Sequence, residues 1–371
     1  MNNLNINQKT LLWLSSGGIS NGRITKVLDC FGSPKDLWDN FEIEKHNLSM
    51  LKTETINELS ESKNFFEEKL LEKLNVEKAR IVTIFDDEYP SKLQQIEGAP
   101  NLLYYKGSLN DINNISIAVI GSRKATTYGK WAAEKLVKEL SEIGVNIISG
   151  LAVGIDTIAH KTALKYKAST YGIIGCGINV VYPKKNLELF HQISESNGAV
   201  ITEYPFDIQP VAFNFHERNR IISGLAEGVL VIEAQEKSGT LITAGHAANQ
   251  GREIFAVPGN IDSLYSRGTN ALIRDGAKIT MSIDDIVEEI MELKEKVRLK
   301  NTSLDLSTFT DDEVSIIGCL ETGENTIDEI SRATKMETGR LLGNLTLLEM
   351  KGAVKASADK IYINIQRFPK P

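Results

Sequence analysis

Three groups of polar residues in this sequence have the types and spacing to do chemistry. The first is the turn Ile117-Ala118-Val119-Ile120-Gly121-Ser122-Arg123, where an apolar run stops at glycine beside a planar cation. A strand that ends this way and opens a helix leaves the helix's first N–H groups unpaired, a favourable seat for an anion. The second is Phe215-His216-Glu217-Arg218-Asn219-Arg220-Ile221-Ile222-Ser223-Gly224. Arg218 and Arg220 flanking Asn219 suit phosphate oxygens, and Phe213 or Phe215 offers a face on which a base can stack; alternatively, Arg218 and Arg220 pair with Glu203 or Glu233. The third is Asp156 and His160, spaced i, i+4, a geometry open to a metal or a general base. With no third ligand at helical spacing, a structural pair is the simpler reading.

Other polar donors sit next to glycines, at Gly150–Gly154, Gly175–Gly177 and Ser238-Gly239-Thr240. Glycine lets backbone approach a ligand closely, although tight turns alone also call for it. No complete nucleotide fingerprint is present: Gly175-Cys176-Gly177 is followed by Val180 where a third glycine is required, and Gly129-Lys130-Trp131 lacks the rest of a phosphate loop. The sequence also offers no Ser/His/Asp or Cys/His arrangement, so it gives little support for catalysis. No cofactor and no metal are expected.

These residues need a scaffold, and the hydrophobic pattern supplies one. Short runs rich in Val and Ile at 116–120, 145–149, 171–174, 199–202, 229–233 and 254–257 alternate with helical stretches such as 127–143, where Ala133, Leu136, Val137, Leu140 and Ile143 mark one face. Strands apolar on both sides and separated by helices imply a Rossmann-like, doubly wound, mainly parallel α/β sheet, with ligands beyond the strands' carboxyl ends. Upstream, Leu11, Leu12, Leu14, Ile24, Val27, Leu28 and Phe31 repeat at helical spacing, punctuated by Gly17-Gly18 and Gly32-Ser33-Pro34. They imply a small helical domain of the helix-hairpin-helix or sterile-alpha-motif kind over residues 1–78, followed by the Rossmann-like domain over 79–298. Residues 284–300 read as one charged amphipathic helix leading into a polar linker, 300–308. Two capping boxes follow, Thr310 with Glu313 and Thr326 with Glu329, then a third helix near 337–350 that stops at Lys351-Gly352, and a ribbon over 353–365. Three helices and a ribbon make a winged-helix domain, 309–367. Its last helix carries Arg340 and Lys351 against Glu337 and Glu349, which favours docking to a protein over reading a major groove.

The formal charge of −7 argues against a nucleic-acid partner until it is divided by region. Residues 1–114 carry −4, 115–280 carry +2 and 281–371 carry −5, so the acidity lies in the flanks. Cations of the middle region cluster near loops: Arg123, Lys124, Lys184, Lys185, Arg218, Arg220 and Lys237. Cys30, Cys176 and Cys319 are too far apart in sequence to read as a disulfide framework or metal site. The polar start Met1-Asn2-Asn3-Leu4-Asn5 and the absence of an apolar run near 18 residues lead to the expectation of a soluble cytoplasmic protein with no membrane partner.

Taken in order, Gly121-Ser122-Arg123, Ser149-Gly150 through Asp156 and His160, Gly175 and Gly177 with Tyr182-Pro183, Arg218-Asn219-Arg220, Ser238-Gly239-Thr240 with Thr243, and Val257-Pro258-Gly259 closely resemble the bacterial DNA processing protein A family, DprA or Smf. The resemblance extends over nearly the whole chain, since helical, Rossmann-like and winged-helix units occur together in many members. It implies a mediator of natural transformation that holds incoming single-stranded DNA, helps load RecA onto it and counters single-strand-binding protein. Carried over by motif, Gly121, Ser122 and Arg123 meet the DNA backbone, and the family's pocket lysine falls on Lys184. Arg218, Asn219 and Arg220 border the same pocket, together with Ser238, Gly239 and Thr240. The family's homodimer points to Asn270–Ala277, with Leu272 and Ile273 in the interface.

Two other functions compete. Nucleoside-monophosphate phosphoribohydrolases resemble this layout, but Thr243 stands where they need a carboxylate to stabilise developing positive charge. A transcription regulator using the winged helix is disfavoured by that helix's few cations.

Overall fold

The computed structural model describes residues 4–302, 309–322, 326–351, 353–357 and 360–363. The chain forms two compact units, Met1–Ile286 and Val287–Pro371.

The first unit opens with five helices, α1 (Ile6–Ser16), α2 (Asn21–Phe31), α3 (Pro34–Glu44), α4 (Thr53–Ser62) and α5 (Phe66–Val76). Asn5 and Gln8 bond reciprocally to each other's backbone N–H and start α1, while Ser33 caps α3 with Pro34 in its first turn. Leu11, Leu12, Trp13, Leu14, Leu37 and Phe41 are all fully buried; each such side chain contributes about 1.5–3 kcal/mol relative to exposure. They share one core with Tyr104, Phe190 and Val200 of the sheet region. Ser15 Oγ meets Tyr104 OH at 3.0 Å, and Asn21 Oδ1 accepts from Asn101 N at 2.7 Å, so polar bonds as well as packing fix the helices to the sheet.

The sheet region continues as β1 (Arg80–Thr83), α6 (Ser91–Gln94), β2 (Leu102–Gly107), β3 (Ser116–Ile120), α7 (Thr127–Glu142), β4 (Asn146–Ser149), α8 (Ile155–Lys165), β5 (Thr170–Ile173), α9 (Leu187–Ser194), β6 (Ala199–Thr202), α10 (Ala212–Gly224), β7 (Gly228–Val231), α11 (Gly239–Asn249), β8 (Glu253–Ala256), α12 (Arg267–Arg274), β9 (Lys278–Ile279) and α13 (Asp284–Val287). Strand order is β1-β2-β6-β5-β4-β3-β7-β8-β9. β2 runs antiparallel to β1 and β6, and the other neighbours are parallel. Every residue of β3, β4, β5, β6 and β7 is buried, as helices on both faces require. Val200 faces the core shared with the N-terminal helices, while its neighbours Ala199 and Ile201 face a second core with Ile221, Ile222 and Ala244. From β3 the chain builds outward through β4, β5 and β6 on one side and, after a return, through β7, β8 and β9 on the other. The strand order therefore reverses between β3 and β7.

The second unit holds α14 (Met291–Thr302), α15 (Asp311–Thr322), α16 (Ile327–Thr334), α17 (Thr338–Met350) and the ribbon β10 (Val354–Ser357) with β11 (Lys360–Ile363). Both expected capping boxes are formed. Ile316, Ile330, Leu341, Leu345, Leu348, Val354 and Ile361 make its core, giving three helices and a ribbon in a winged-helix arrangement. The single helix expected over 284–300 is instead two, α13 and α14, because the chain turns after Val287 and restarts at Ile290, whose carbonyl accepts from Leu293 N and Lys294 N. Most of the expected linker (303–308), the Gly352 stop and the last two residues of the expected ribbon (364–365) lie outside the described residues. Among the described residues no helix is long and apolar enough to cross a membrane, and no cluster of His, Cys, Asp or Glu is placed to hold a metal.

Candidate nucleic-acid interface

A cavity of about 720 Å3 opens at the switch between β3 and β7, where an open α/β sheet leaves room for a ligand. Ile120, Gly121, Ser122, Arg123 and Lys124 approach it from the end of β3, Ala152 from the loop after β4 with Asp156 from the first turn of α8, and Gln235 and Ser238 from the loop after β7 with Gly239 and Thr240 from the start of α11. α10 adds Phe215, His216, Arg218 and Asn219. Tyr182 closes one side, its ring 5.4 Å from Phe215 and tilted 32° to it. The guanidinium carbons of Arg123 and Arg218 each lie 5.9 Å from the Phe215 ring centre. Arg123 is exposed and Arg218 is only 5% exposed, so they act differently.

Arg218 is a clamp inside the wall. Its Nη1 donates to Gly150 O at 2.8 Å and to Ile173 O, joining the ends of β4 and β5. Asp156 supplies the opposing charge, accepting from Gly150 N at 3.1 Å and Ala152 N at 3.4 Å. Burial pushes the Asp156 carboxyl up to about 6 against the pull of Arg218, and burial lowers Arg218 to about 10 against the pull of Asp156. His160 is fully buried, with Nδ1 2.8 Å from Thr170 Oγ1. Burial, with Arg218 nearby, drops it to about 3 and keeps it neutral. Asp156 and His160 thus serve structure, each engaged with a different neighbour. Gly154, at φ +89°, lets this loop pass beneath the β3 turn, since a Cβ there would stand 2.2 Å from Ser122 O.

The helix end open to the cavity is not the expected one. α7, which follows Arg123, is closed by the protein's own groups: Thr126 Oγ1 accepts from Gly129 N, and the Glu233 carboxylate accepts from Thr126 N and from its hydroxyl. The first turn of α11 lines the cavity instead, with no side-chain cap and no acidic residue. Ser238 Oγ beside it is buried without a hydrogen-bond partner. Uncapped amides at a helix start favour an anion, so the open helix end of this cavity lies after β7 and not after β3.

Gly121, Ser122, Arg123, Arg218, Asn219, Ser238, Gly239 and Thr240 therefore share one cavity. Lys184 and Arg220 do not line it. Arg220 donates to Glu203 Oε2 at 2.6 Å, the alternative pairing open in the sequence; burial pushes that carboxyl up while Arg220 pulls it down. Residues two apart on a helix point about 200° apart, so α10 cannot send both arginines into the same space. Lys184 is exposed in a short 3-10 turn after Tyr182-Pro183. Asn270, expected at a dimer interface, bonds through its amide to both N and O of Gly259, at 3.2 and 3.0 Å. Leu272 is partly buried against the core, and Ile273 is half-buried. Sequence reasoning missed Tyr182 and Tyr265 as cavity walls; Tyr182 stood in a motif already noted, whereas nothing around Tyr265 sets it apart.

A family model described as DNA recombination-mediator protein A matches residues 80–291, and one described as DprA winged helix domain matches residues 302–360. The chain is 41% identical to Protein Smf of Escherichia coli over 202 residues, 54% of each chain, so the match spans about half of that relative's length. It is 44% identical to DNA processing protein DprA of Streptococcus pneumoniae over 207 residues, 56% of this chain and 73% of that one. The solved structure of DNA processing protein A from Streptococcus pneumoniae superposes with a TM-score of 0.67 at 36% identity, covering 78% of this chain and 99% of that one. DNA processing protein A from Helicobacter pylori, whose structure is described by its single-stranded DNA binding mode, gives 0.52 at 27% identity, covering 57% and 96%.

Proposed function

This chain belongs to the DNA recombination-mediator protein A family, DprA or Smf, and from that premise we propose that it binds single-stranded DNA by its backbone at the β3–β7 switch and acts as a recombination mediator. The observation that carries this reading is the convergence in one cavity of an exposed arginine, the uncapped start of α11 and a tilted pair of rings. Arg123 and the α11 amides suit phosphate, while Tyr182 and Phe215 suit unpaired bases irrespective of sequence. Loading of RecA, displacement of single-strand-binding protein and a role in transformation follow as proposals from the family, as does pairing of two copies near Leu272 and Ile273. The short edge strand β9 and exposed Met281 lie just beyond that segment, which supports the dimer reading.

The winged helix fits a protein partner better than a duplex. Arg340 is bonded to Asp312 at 2.7 Å and Lys351 to both Glu313 oxygens at 2.7 Å, so the cations of α17 and its end are already neutralised. A phosphoribohydrolase is disfavoured because Asp156, whose carboxylate lines the cavity, is engaged by two backbone amides and Thr243 offers no acid.

The test is Arg123→Ala, followed by titration with unrelated single strands at several salt concentrations. Loss of one phosphate contact makes the log–log salt dependence shallower by about 0.7 for every sequence. An unchanged slope and affinity, or release of free base from nucleoside monophosphates by the wild type, overturns the proposal.

A further inference from the structure

The position of Lys184 outside the cavity points to where the strand goes next. Some cations of the first unit are paired with carboxylates, as in Lys92 with Glu227 at 2.6 Å, Lys106 with Glu77 at 2.8 Å and Lys45 with Glu42 at 2.6 Å. A separate groove of about 510 Å3 between α8 and α9 gathers three that are not. Lys161 and Lys165 line it from α8, one turn apart on the same face, and Lys185 lines it from the turn before α9. All three are exposed, and among the described residues none forms an ion pair with a carboxylate. Glu188 is the one acid in the lining, and Gln192 Nε2 donates to its Oε1 at 3.1 Å.

Groove and cavity share a wall. Asn186, buried in the groove floor, donates to Leu151 O at 2.8 Å and to Ala152 O at 3.3 Å, and Ala152 faces the cavity. The rim is equally short: Tyr182 lines the cavity and Lys185 the groove, three residues later, a span of at most about 11 Å. Three lysines around one groove outnumber its single carboxylate, and a polyanion laid along them balances that excess and releases its own counterions.

We propose that the α8–α9 groove is a second subsite for the sugar-phosphate backbone, receiving the strand as it leaves the cavity across Lys184, with Lys161, Lys165 and Lys185 against its phosphates. This inference rests on the single-strand reading of the cavity. The segment that carries the family's pocket lysine then bridges two subsites, and a strand too short to leave the cavity does not feel the groove.

The experiment compares wild type, the double variant Lys161→Ala/Lys165→Ala and Arg123→Ala, by fluorescence anisotropy with labelled oligothymidylates of about 4 and about 16 nucleotides, the ends of the range of single-strand site sizes. Both lysines are exposed, and circular dichroism checks that the variant stays folded. Loss of two contacts makes the salt dependence for the long strand shallower by about 1.4, so the wild-type advantage over the double variant shrinks about sevenfold between 50 and 200 mM salt, with the short strand unaffected. A wild-type slope on the long strand overturns the subsite, and so does an equal loss on both lengths, which would mean a general field and not contact. Arg123→Ala separates the two claims: if it leaves both strands bound as in the wild type the cavity reading fails, whereas if it weakens both while the double variant changes nothing only the groove fails.

Discussion

Replacing Arg218 with Met distinguishes a clamp from a phosphate contact, because the two roles predict opposite outcomes for stability. The substitution keeps an unbranched apolar side chain and removes the charge. Two carbonyl oxygens, of Gly150 and Ile173, lose a charged donor, and Asp156 loses its cation inside the wall. Hydrogen bonds from a charged group contribute about 1.5–3 kcal/mol each, and removing one partner of a buried pair costs about 3–5 kcal/mol. These overlap, so about 4 kcal/mol is expected near pH 8. The cost depends on pH. The folded pKa of Asp156, about 6, already lies above its usual 3.8, so its favourable contribution is complete below 3.8 and lost as pH rises through 6. Without Arg218 the folded pKa climbs further, which extends the loss to higher pH in the variant alone. The destabilisation is therefore larger at pH 8 than at pH 5, where the carboxyl is largely protonated in both proteins. Guanidinium unfolding followed by tryptophan fluorescence reads this directly, since Trp13, Trp38 and Trp131 all lie in the first unit. At an m of about 4 kcal/mol/M the midpoint falls by about 1 M at pH 8. A shift under about 0.2 M, or the same shift at both pH values, refutes the clamp; if strand affinity fell in that case, Arg218 would be a phosphate ligand after all.

Two further substitutions test the same wall. Gly154→Ala places a methyl carbon against Ser122 O at a φ of +89°, so about 2 kcal/mol of strain is expected, seen as a drop of about 4–8 °C in Tm together with weaker single-strand binding; an unchanged Tm contradicts it. His160 has its folded pKa depressed from 6.5 to about 3, so its contribution is present above 6.5 and lost as pH falls towards 3. His160→Gln removes that loss, and between pH 6.5 and pH 4 the variant gains about 3 kcal/mol relative to wild type in urea unfolding, whereas parallel curves would mean the imidazole is charged in the fold.

The parallel strands were legible because burial on both faces forces continuous apolar runs, as at Ile117–Ile120. β1 and β2 were not, because no crossover helix links them and β2 is apolar for only half its length, its remaining residues half-buried. Position in sequence also hid the packing of the first helices: Leu11, Leu12 and Leu14 read as part of a small helical domain, and nothing in their spacing says that Tyr104 and Val200 complete their core. In the second unit the capping boxes predicted helix starts well, since each depends on residues three apart and on no distant partner.

Cations were harder than strands for the same physical reason. A motif places a charged residue on an element, but the direction of its side chain depends on that element's type. Arg218-Asn219-Arg220 in an extended segment would send both guanidiniums to one side, whereas in α10 they diverge, one under the cavity and one to Glu203. What remains for a polyanion is the exposed cations near the two sites that no carboxylate holds: Arg123 and Lys124 at the cavity, then Lys184, Lys185, Lys161 and Lys165 beyond it. A chain of net charge −7 can thus hold a nucleic acid, because affinity follows where the unpaired cations lie and not the total.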